Sequence, residues 1–376
     1  MVKLLLHFFE AIVGKHTGRH RLLHPAILHL TVTNRCSLEC RMCNVWKEKP
    51  KADIAPEVIE ALVSSPYFRD FQIVEYGGGE PFLADLPGIT RRLLHPGLKM
   101  LLVTTNGWST ERVVEQTGQL LETGAFSLIL NVSIDGEAAT HDRLRGVAGC
   151  HQKAMRTLAR LAEMARDRKR LKVGLKFTIL PENCAEIWAA YQEAKKLGVE
   201  FTAKPAAVFG SLHNEEMNFS FTPEQLEQIT RDLKKIDQEQ KRIFSGGGVS
   251  LFGRLYFFSN LIFNELQLDY LRKNLLEGEA RQIIPCFSSF FSIMVHVDGG
   301  VYCCPTLMKK VGTIPDEKFG EIWQGEKMDS IRSFIHQGGC SCFSQCDQMP
   351  SLAAKYRTRL AWEIMKSLIR GRPRRA

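Results

Sequence analysis

No stretch of the 376 residues runs apolar and uninterrupted for the roughly 20 positions that a membrane-spanning helix needs. Low-complexity tracts and internal repeats are also missing, which argues against collagenous, solenoid and largely disordered chains. The opening stretch Met1–Gly14 is amphipathic, but His7 and Glu10 break its apolar run and no small-residue cleavage site follows. An export leader is therefore not expected, and a cytoplasmic location is. The formal net charge is +9, yet no nucleic-acid-binding motif accompanies it, so no nucleic-acid partner is expected. Much of the excess falls late, in Lys355, Arg357, Arg359, Lys366, Arg370, Arg372, Arg374 and Arg375, and reads as a solvated end. What is present is an ordinary globular balance, 44% apolar and 24% charged, in a chain long enough for one large domain and a smaller one.

Cysteine is the residue in excess. Of eleven, three stand at Cys36, Cys40 and Cys43, and six fall between Cys286 and Cys346. In a reducing compartment such clusters read as metal ligands rather than disulfides. Cys150 and Cys184 stand alone and read as small buried residues.

From residue 26 to about 206, short apolar runs alternate with helical patterns. The candidate strands are Ile27–Thr33, Phe71–Tyr76, Met100–Thr105, Leu128–Ile134, Val173–Leu180 and Phe201–Pro205. Amphipathic helices are expected between them, at Pro56–Ser64, Glu111–Thr123, Lys153–Ala165 and Ala185–Leu197 among others. Such alternation implies parallel strands joined by crossovers, and six units suit an incomplete β/α barrel better than a closed eight-unit one. Pattern alone leaves a doubly wound open sheet as the alternative. After Pro205 come a charged helix (Thr222–Phe244), a glycine break (246–248) and a more apolar helix (Leu251–Leu271). A hairpin is expected from Phe291–Val297 and Val301–Cys304 around Asp298-Gly299-Gly300, and an amphipathic helix over Ser351–Ile369.

The first strand runs directly into Cys36-Ser37-Leu38-Glu39-Cys40-Arg41-Met42-Cys43. A cubane cluster normally takes four thiolates, so three on one loop leave one iron open. An open metal position marks a reactive rather than a structural site. A structural zinc ion would need a fourth nearby ligand, which this loop does not offer. The second strand ends in Gly77-Gly78-Gly79-Glu80-Pro81. Glycines allow close backbone approach to a ligand, their carbonyls accept from an ammonium group, and Glu80 adds a negative charge.

Together, Cys-x-x-x-Cys-x-x-Cys and Gly-Gly-Glu-Pro resemble the radical S-adenosylmethionine superfamily. The resemblance implies a partial (β/α)6 barrel and a four-iron–four-sulfur cluster at Cys36, Cys40 and Cys43. It also implies an S-adenosylmethionine chelated to the open iron and split reductively to a 5′-deoxyadenosyl radical that abstracts hydrogen from a substrate. A reductant such as flavodoxin or ferredoxin is implied as partner. Asn106, at the end of the third strand, joins Gly77, Gly78, Gly79 and Glu80 as an expected cofactor contact. Ser133 and Asp135 would lie near the ribose or carboxylate, and Arg145 would pair a carboxylate through its fork. Many relatives carry an aromatic residue before the third cysteine, where this chain has Met42. Because family members contact adenine there through the backbone, activity is expected to survive the change.

The later cysteines resemble the C-terminal extensions called SPASM and twitch domains, which hold auxiliary four-iron–four-sulfur clusters. Six cysteines fall short of the roughly eight that two clusters need, so one auxiliary cluster is expected. Its ligands would be Cys286 and Cys304 with two of Cys340, Cys342 and Cys346, and zinc on the same thiolates is the alternative. Strand alternation would turn Cys303 away from Cys304. The expected division is 1–25 (amphipathic segment), 26–210 (core barrel), 211–285 (helical insert), 286–350 (auxiliary-cluster domain) and 351–376 (basic helix and tail).

The first expected substrate is a peptide or protein, although no peptide-binding winged helix is visible at this N-terminus. A lipid or lipid-linked molecule at an anionic membrane surface is the second, suggested by Leu4, Leu5, Leu6, Phe8, Phe9 and Ile12, the apolar helix around Tyr256–Phe263 and the basic closing helix with Trp362. A non-catalytic iron–sulfur electron carrier is the other class, and it has no need for an open iron.

Overall fold

The computed structural model describes residues 2–18, 20, 23–244 and 285–340, with scattered positions at 258–273 and 342–366. Most of the expected helices at 251–271 and 351–369, together with Cys346, Arg357 and the basic residues 370–375, lie outside the described residues.

Alternation within each strand builds the central sheet. In β1 (Ile27–Thr33), Leu28, Leu30 and Val32 enter the main core, while His29, Thr31 and Thr33 take the opposite face. The same division recurs in β2 (Ile73–Gly78), β3 (Met100–Thr105), β4 (Ser127–Ser133), β5 (Leu171–Ile179) and β6 (Glu200–Pro205), whose Val74, Leu101, Leu128, Leu175 and Phe201 join that core. Helices cover this face. After α1 (Val2–Thr17) they are α2 (Pro56–Val63), α3 (Leu86–Leu93), α4 (Thr110–Thr123), α5 (Ala138–Arg145), α6 (Cys150–Asp167) and α7 (Ile187–Leu197), followed by α8 (Pro223–Phe244). The other face is polar: His29 Nδ1 and Glu75 Oε2, on directly paired residues of β1 and β2, lie 2.8 Å apart.

Strands β1 to β6 are parallel and lie in chain order, each bonded to the next. The sheet is open, as a partial barrel requires. Its first strand is nevertheless not an edge. β7 (Ser292–Val295) lies parallel against β1, and β8 (Gly300–Tyr302) and β9 (Lys310–Thr313) follow antiparallel, giving nine strands in one sheet among the described residues. The expected hairpin thus completes the barrel sheet instead of standing apart from it. Its turn needs Gly299, whose φ is +77° and whose added Cβ would sit 1.9 Å from the Ile314 carbonyl.

The C-terminal segment is locked to the barrel by buried side chains. Trp323 is fully buried and donates from Nε1 to the Leu23 carbonyl at 2.9 Å. Arg332, also fully buried, stacks over the Trp323 ring and donates to the Ser289 carbonyl. Phe319 meets Phe71 edge to face at 5.8 Å. Among the described residues, no helix is long and apolar enough to cross a membrane.

Candidate active site

The loop after β1 is built by its own polar side chains. Asn34 donates to the Pro50 carbonyl and accepts from Ala52 N. Arg35 forks onto Asp53 and reaches the Leu83 carbonyl. Beyond them, the cysteine segment is sewn down on two sides. Glu39 N and Arg41 N donate to the carbonyls of Arg145 and Leu144, and Asn214 Nδ2 donates to the Met42 carbonyl at 3.0 Å. The first of these seams depends on Gly146: its φ is +77°, and a Cβ there would lie 2.5 Å from the Glu39 carbonyl oxygen.

This arrangement brings Cys36, Cys40 and Cys43 together around a small apolar cluster of Leu38, Met42, Leu144 and Leu180. Burial pushes the Cys36 thiol up to about 11 and Cys43 to about 12, and raises Cys40 against the pull of Arg145. As free groups they are held protonated; as iron ligands they would each give up that proton.

The glycine run divides its labour. A Cβ on Gly78 (φ +122°) would lie 1.9 Å from the Thr33 carbonyl, and one on Gly79 would lie 2.2 Å from that of Arg35, so these two let the second loop touch the first. Gly79 N and Glu80 N donate to those same carbonyls. Gly77 differs: nothing lies within 4 Å of its missing Cβ, which leaves open space at the mouth of the sheet.

Glu80, expected to face the cofactor, is turned into the protein. It is 3% exposed, and its carboxylate accepts from Phe82 N (3.2 Å), Thr105 Oγ1 (2.7 Å) and Asn106 N (2.7 Å). Burial raises its pKa against these hydrogen bonds. Its work is to clasp the ends of β2 and β3. Asn106 then reaches the cysteine loop, with Nδ2 at 3.2 Å from Ser37 Oγ and 3.9 Å from Cys36 Sγ.

Asp135 and Arg145 were expected to meet the cofactor separately, but they meet each other. Both are buried, and the guanidinium forks onto Asp135 Oδ2 at 2.7 and 2.5 Å. Asp135 Oδ1 accepts from Thr178 N, and Arg145 Nη1 points at Cys40 Sγ at 3.7 Å. Burial opposes the Arg145 charge, yet Asp135 and Cys40 hold its pKa above the ordinary value. His141 completes the unit by accepting from Asp135 N, and burial next to Arg145 lowers its pKa to about 3, so it stays neutral. Ser133 is buried at the end of β4 beside Lys176 of β5.

A second polar pair, at the far edge of the sheet, carries no signal in the sequence. Lys204, buried near the end of β6, is lowered to about 7 by desolvation, and Asp237 of α8 is raised to about 7 by the same cause. Asn264 bonds Lys204. A lysine in a strand and an aspartate in a charged helix each read as solvated until the tertiary fold buries them.

In the C-terminal segment, Cys303, Cys304, Cys340 and Cys342 converge. Cys340 and Cys342 have their sulfurs 3.7 Å apart, and that contact lowers Cys340 to about 6. Cys303 was expected to point away, yet its thiol bonds Cys304 and feels Cys340. The reason is local: β8 ends at Tyr302 after a register shift, so strand alternation no longer governs residues 303 and 304. Cys304 Sγ also accepts from Leu307 N, and the Cys286 carbonyl accepts from Lys15 Nζ. Cys150 and Cys184 are buried, as expected of small core residues.

The first cysteine set fits a cubane cluster with one open iron. Cys40 is buried and Cys36 and Cys43 half-buried on one loop, N–H donors of Asn106 and Arg145 point at two of the three sulfurs, and no thiol of the set is spent on a disulfide.

Comparison with known proteins agrees. The radical SAM superfamily profile matches residues 30–194, and the SPASM profile, an iron–sulfur cluster-binding domain, matches 286–348. The chain belongs to the radical SAM superfamily. Within it, this protein is of the kind in which a SPASM domain follows the radical SAM domain. Among curated proteins it is similar to the Fe-coproporphyrin III synthase of Methanosarcina barkeri, 27% identical over 55% of this chain and 51% of that protein. It is also similar to the pre-heme d1 synthase of Dinoroseobacter shibae, 29% identical over 42% of this chain and 37% of that protein. The chain thus spans about half or less of the curated relatives it matches. Among solved structures, native anSMEcpe with bound AdoMet superposes with a TM-score of 0.58 at 17% identity, covering 91% of this chain and 100% of that one. Streptococcus suis SuiB bound to S-adenosylmethionine gives 0.58 at 13% identity, covering 85% and 70%. At these identities the likeness is one of fold.

Proposed function

We propose that the protein is a radical S-adenosylmethionine enzyme that abstracts a hydrogen atom from its substrate. The observation that carries this reading is the grouping of Cys36, Cys40 and Cys43 on the loop after β1, with Asn106 and Arg145 aimed at two of their sulfurs from segments that follow β3 and β4. When bound there, a four-iron–four-sulfur cluster with S-adenosylmethionine on its open iron supplies the electron that splits the sulfonium and releases the adenosyl radical. The chain's own part is to hold that site rigid and partly dry. Asn106 and Arg145 aim donors at the Cys36 and Cys40 sulfurs, and Glu80 and Asp135 fix those donors in turn. The proposed cofactor contacts are the backbone of Gly77–Gly79 with Asn106 and Ser133. One auxiliary cluster is proposed on Cys286 and Cys304 with two of Cys340, Cys342 and Cys346, and a flavodoxin- or ferredoxin-type protein as reductant.

The substrate proposed first is a peptide or protein. Its support is the shared architecture with SuiB, which has been solved bound to the precursor peptide SuiA, and with anSMEcpe, solved with the Kp18Cys peptide. A tetrapyrrole is the second reading, favoured by the two named synthases among the sequence relatives. The lipid-linked reading rests on Leu6 and Phe9, which are 54% and 63% exposed on α1.

The test is anaerobic reconstitution with iron and sulfide, reduction with dithionite, and assay for 5′-deoxyadenosine with and without candidate peptides and tetrapyrroles. Wild type should cleave the cofactor, and the Cys36/Cys40/Cys43→Ala variant should not, while keeping about four irons per chain. A fully iron-loaded wild type that forms no 5′-deoxyadenosine under any of these conditions would return the protein to the electron-carrier class.

A further inference from the structure

Helix α1 buries an unexpected face. Leu6 and Phe9 point outward, while His7, 4% exposed, turns into the protein. Glu10 lies three residues on, so it shares that face. His24, in the extended chain just before β1, stacks on His7 with ring centroids 5.4 Å apart and planes inclined at 20°. Its Nδ1 lies 3.1 Å from Glu10 Oε2. One potential ligand atom from each of the three residues falls within 4.8 Å of the other two. Buried His7 Nδ1 has no hydrogen-bond partner, which is costly unless something else satisfies it.

We propose that His7, Glu10 and His24 form a binding site for a divalent transition-metal cation of the zinc class. Two imidazoles and one carboxylate are a recurrent donor set for zinc, with a fourth position left to water. Tyr67 packs on His24 at 5.9 Å, and Asp70, held by Lys3 at 2.8 Å, lies close enough to His7 for its charge to act on the ring. The site sits before the first strand, at the opposite end of the sheet from the cysteine loop. An ion there would fasten α1 to the chain entering β1 while keeping one coordination position for water.

The test uses full-length protein with its iron–sulfur clusters reconstituted, so that the cysteines are already occupied. Zinc is then titrated, counted by mass spectrometry, and its ligands are read by X-ray absorption at the zinc edge. The expected result is about one zinc per chain in a shell of nitrogen and oxygen only, as three protein ligands of this kind require. Glu10→Gln and His24→Gln, both at partly exposed positions, should weaken binding by more than the roughly 10–100-fold that outer-shell changes cost. Iron content should not change in either variant, and zinc should raise the melting temperature of wild type only. No stoichiometric zinc, a shell containing sulfur, or variants that bind as tightly as wild type would each overturn the proposal.

Discussion

At Arg145 a single side chain serves two partners, and its removal tests both. Asp135 is fully buried, and without the guanidinium its carboxylate has lost its counter-charge. Arg145→Ala should therefore destabilise the protein by about 3–5 kcal/mol, as breaking one partner of a buried pair does. Chemical denaturation of the apo and reconstituted protein measures this, and Arg145→Lys should recover only part of the loss because it cannot fork. The thiols make a second prediction at this scale. Cys36 and Cys43 are raised from the ordinary value near 9 to about 11 and about 12. Below pH 9 they are protonated in both folded and unfolded chains and contribute nothing to pH dependence. Above it the unfolded chain releases its protons first, so apo stability should fall by up to ~1.4 kcal/mol per pH unit for each thiol until the folded pKa is passed. Urea titrations between pH 8 and 11 would show this slope, and Cys43→Ala should flatten it.

Between elements, the glycine loop of β2 offers a contrast within two adjacent residues. Gly78→Ala forces a Cβ to 1.9 Å from the Thr33 carbonyl at a φ of +122°, so the loops must part. Strain of this kind costs ~1–3 kcal/mol, and the variant should load less iron at the first site. Gly77→Ala meets nothing within 4 Å, so folding and iron content should stay as in wild type. If S-adenosylmethionine occupies that space, its affinity should drop on the order of tenfold, or about 1.4 kcal/mol. Equilibrium dialysis on the two reconstituted variants separates the cases: equal cofactor binding by Gly77→Ala and wild type would remove Gly77 from the site. Glu80 behaves as an element-level clasp as well, since its two oxygens join the ends of β2 and β3.

For the whole molecule, the decisive pairing is β1 with β7, residues 27–30 with 292–295. The strand that feeds the cysteine loop is an inner strand only because a segment more than 250 residues later covers it. A chain truncated at residue 285 would expose the β1 edge and lose the Trp323 and Arg332 anchors. It should aggregate or fail to hold the cysteine-loop cluster, which solubility and iron content per chain would show. A soluble truncated chain with a full first cluster would mean that the C-terminal segment is dispensable for the barrel.

Local features were readable because their causes are local. The six parallel strands start and end within about two residues of their apolar runs, since alternation and flanking turns are written in consecutive residues. The spacing of Cys36, Cys40 and Cys43 and the run Gly77–Glu80 are likewise properties of short segments. What the sequence could not say is which way a polar side chain turns once segments meet. It listed Glu80, Asp135 and Arg145 as groups for a ligand, but tertiary packing directed them to Thr105, to each other and to Cys40. It marked His7 only as a break in the apolar run of α1, where the fold buries it and leaves Leu6 and Phe9 exposed. The sequence thus determined the six-unit core and the cysteine chemistry. Only the tertiary structure decided what surrounds them, because hydrogen bonds and burial depend on neighbours that are remote along the chain.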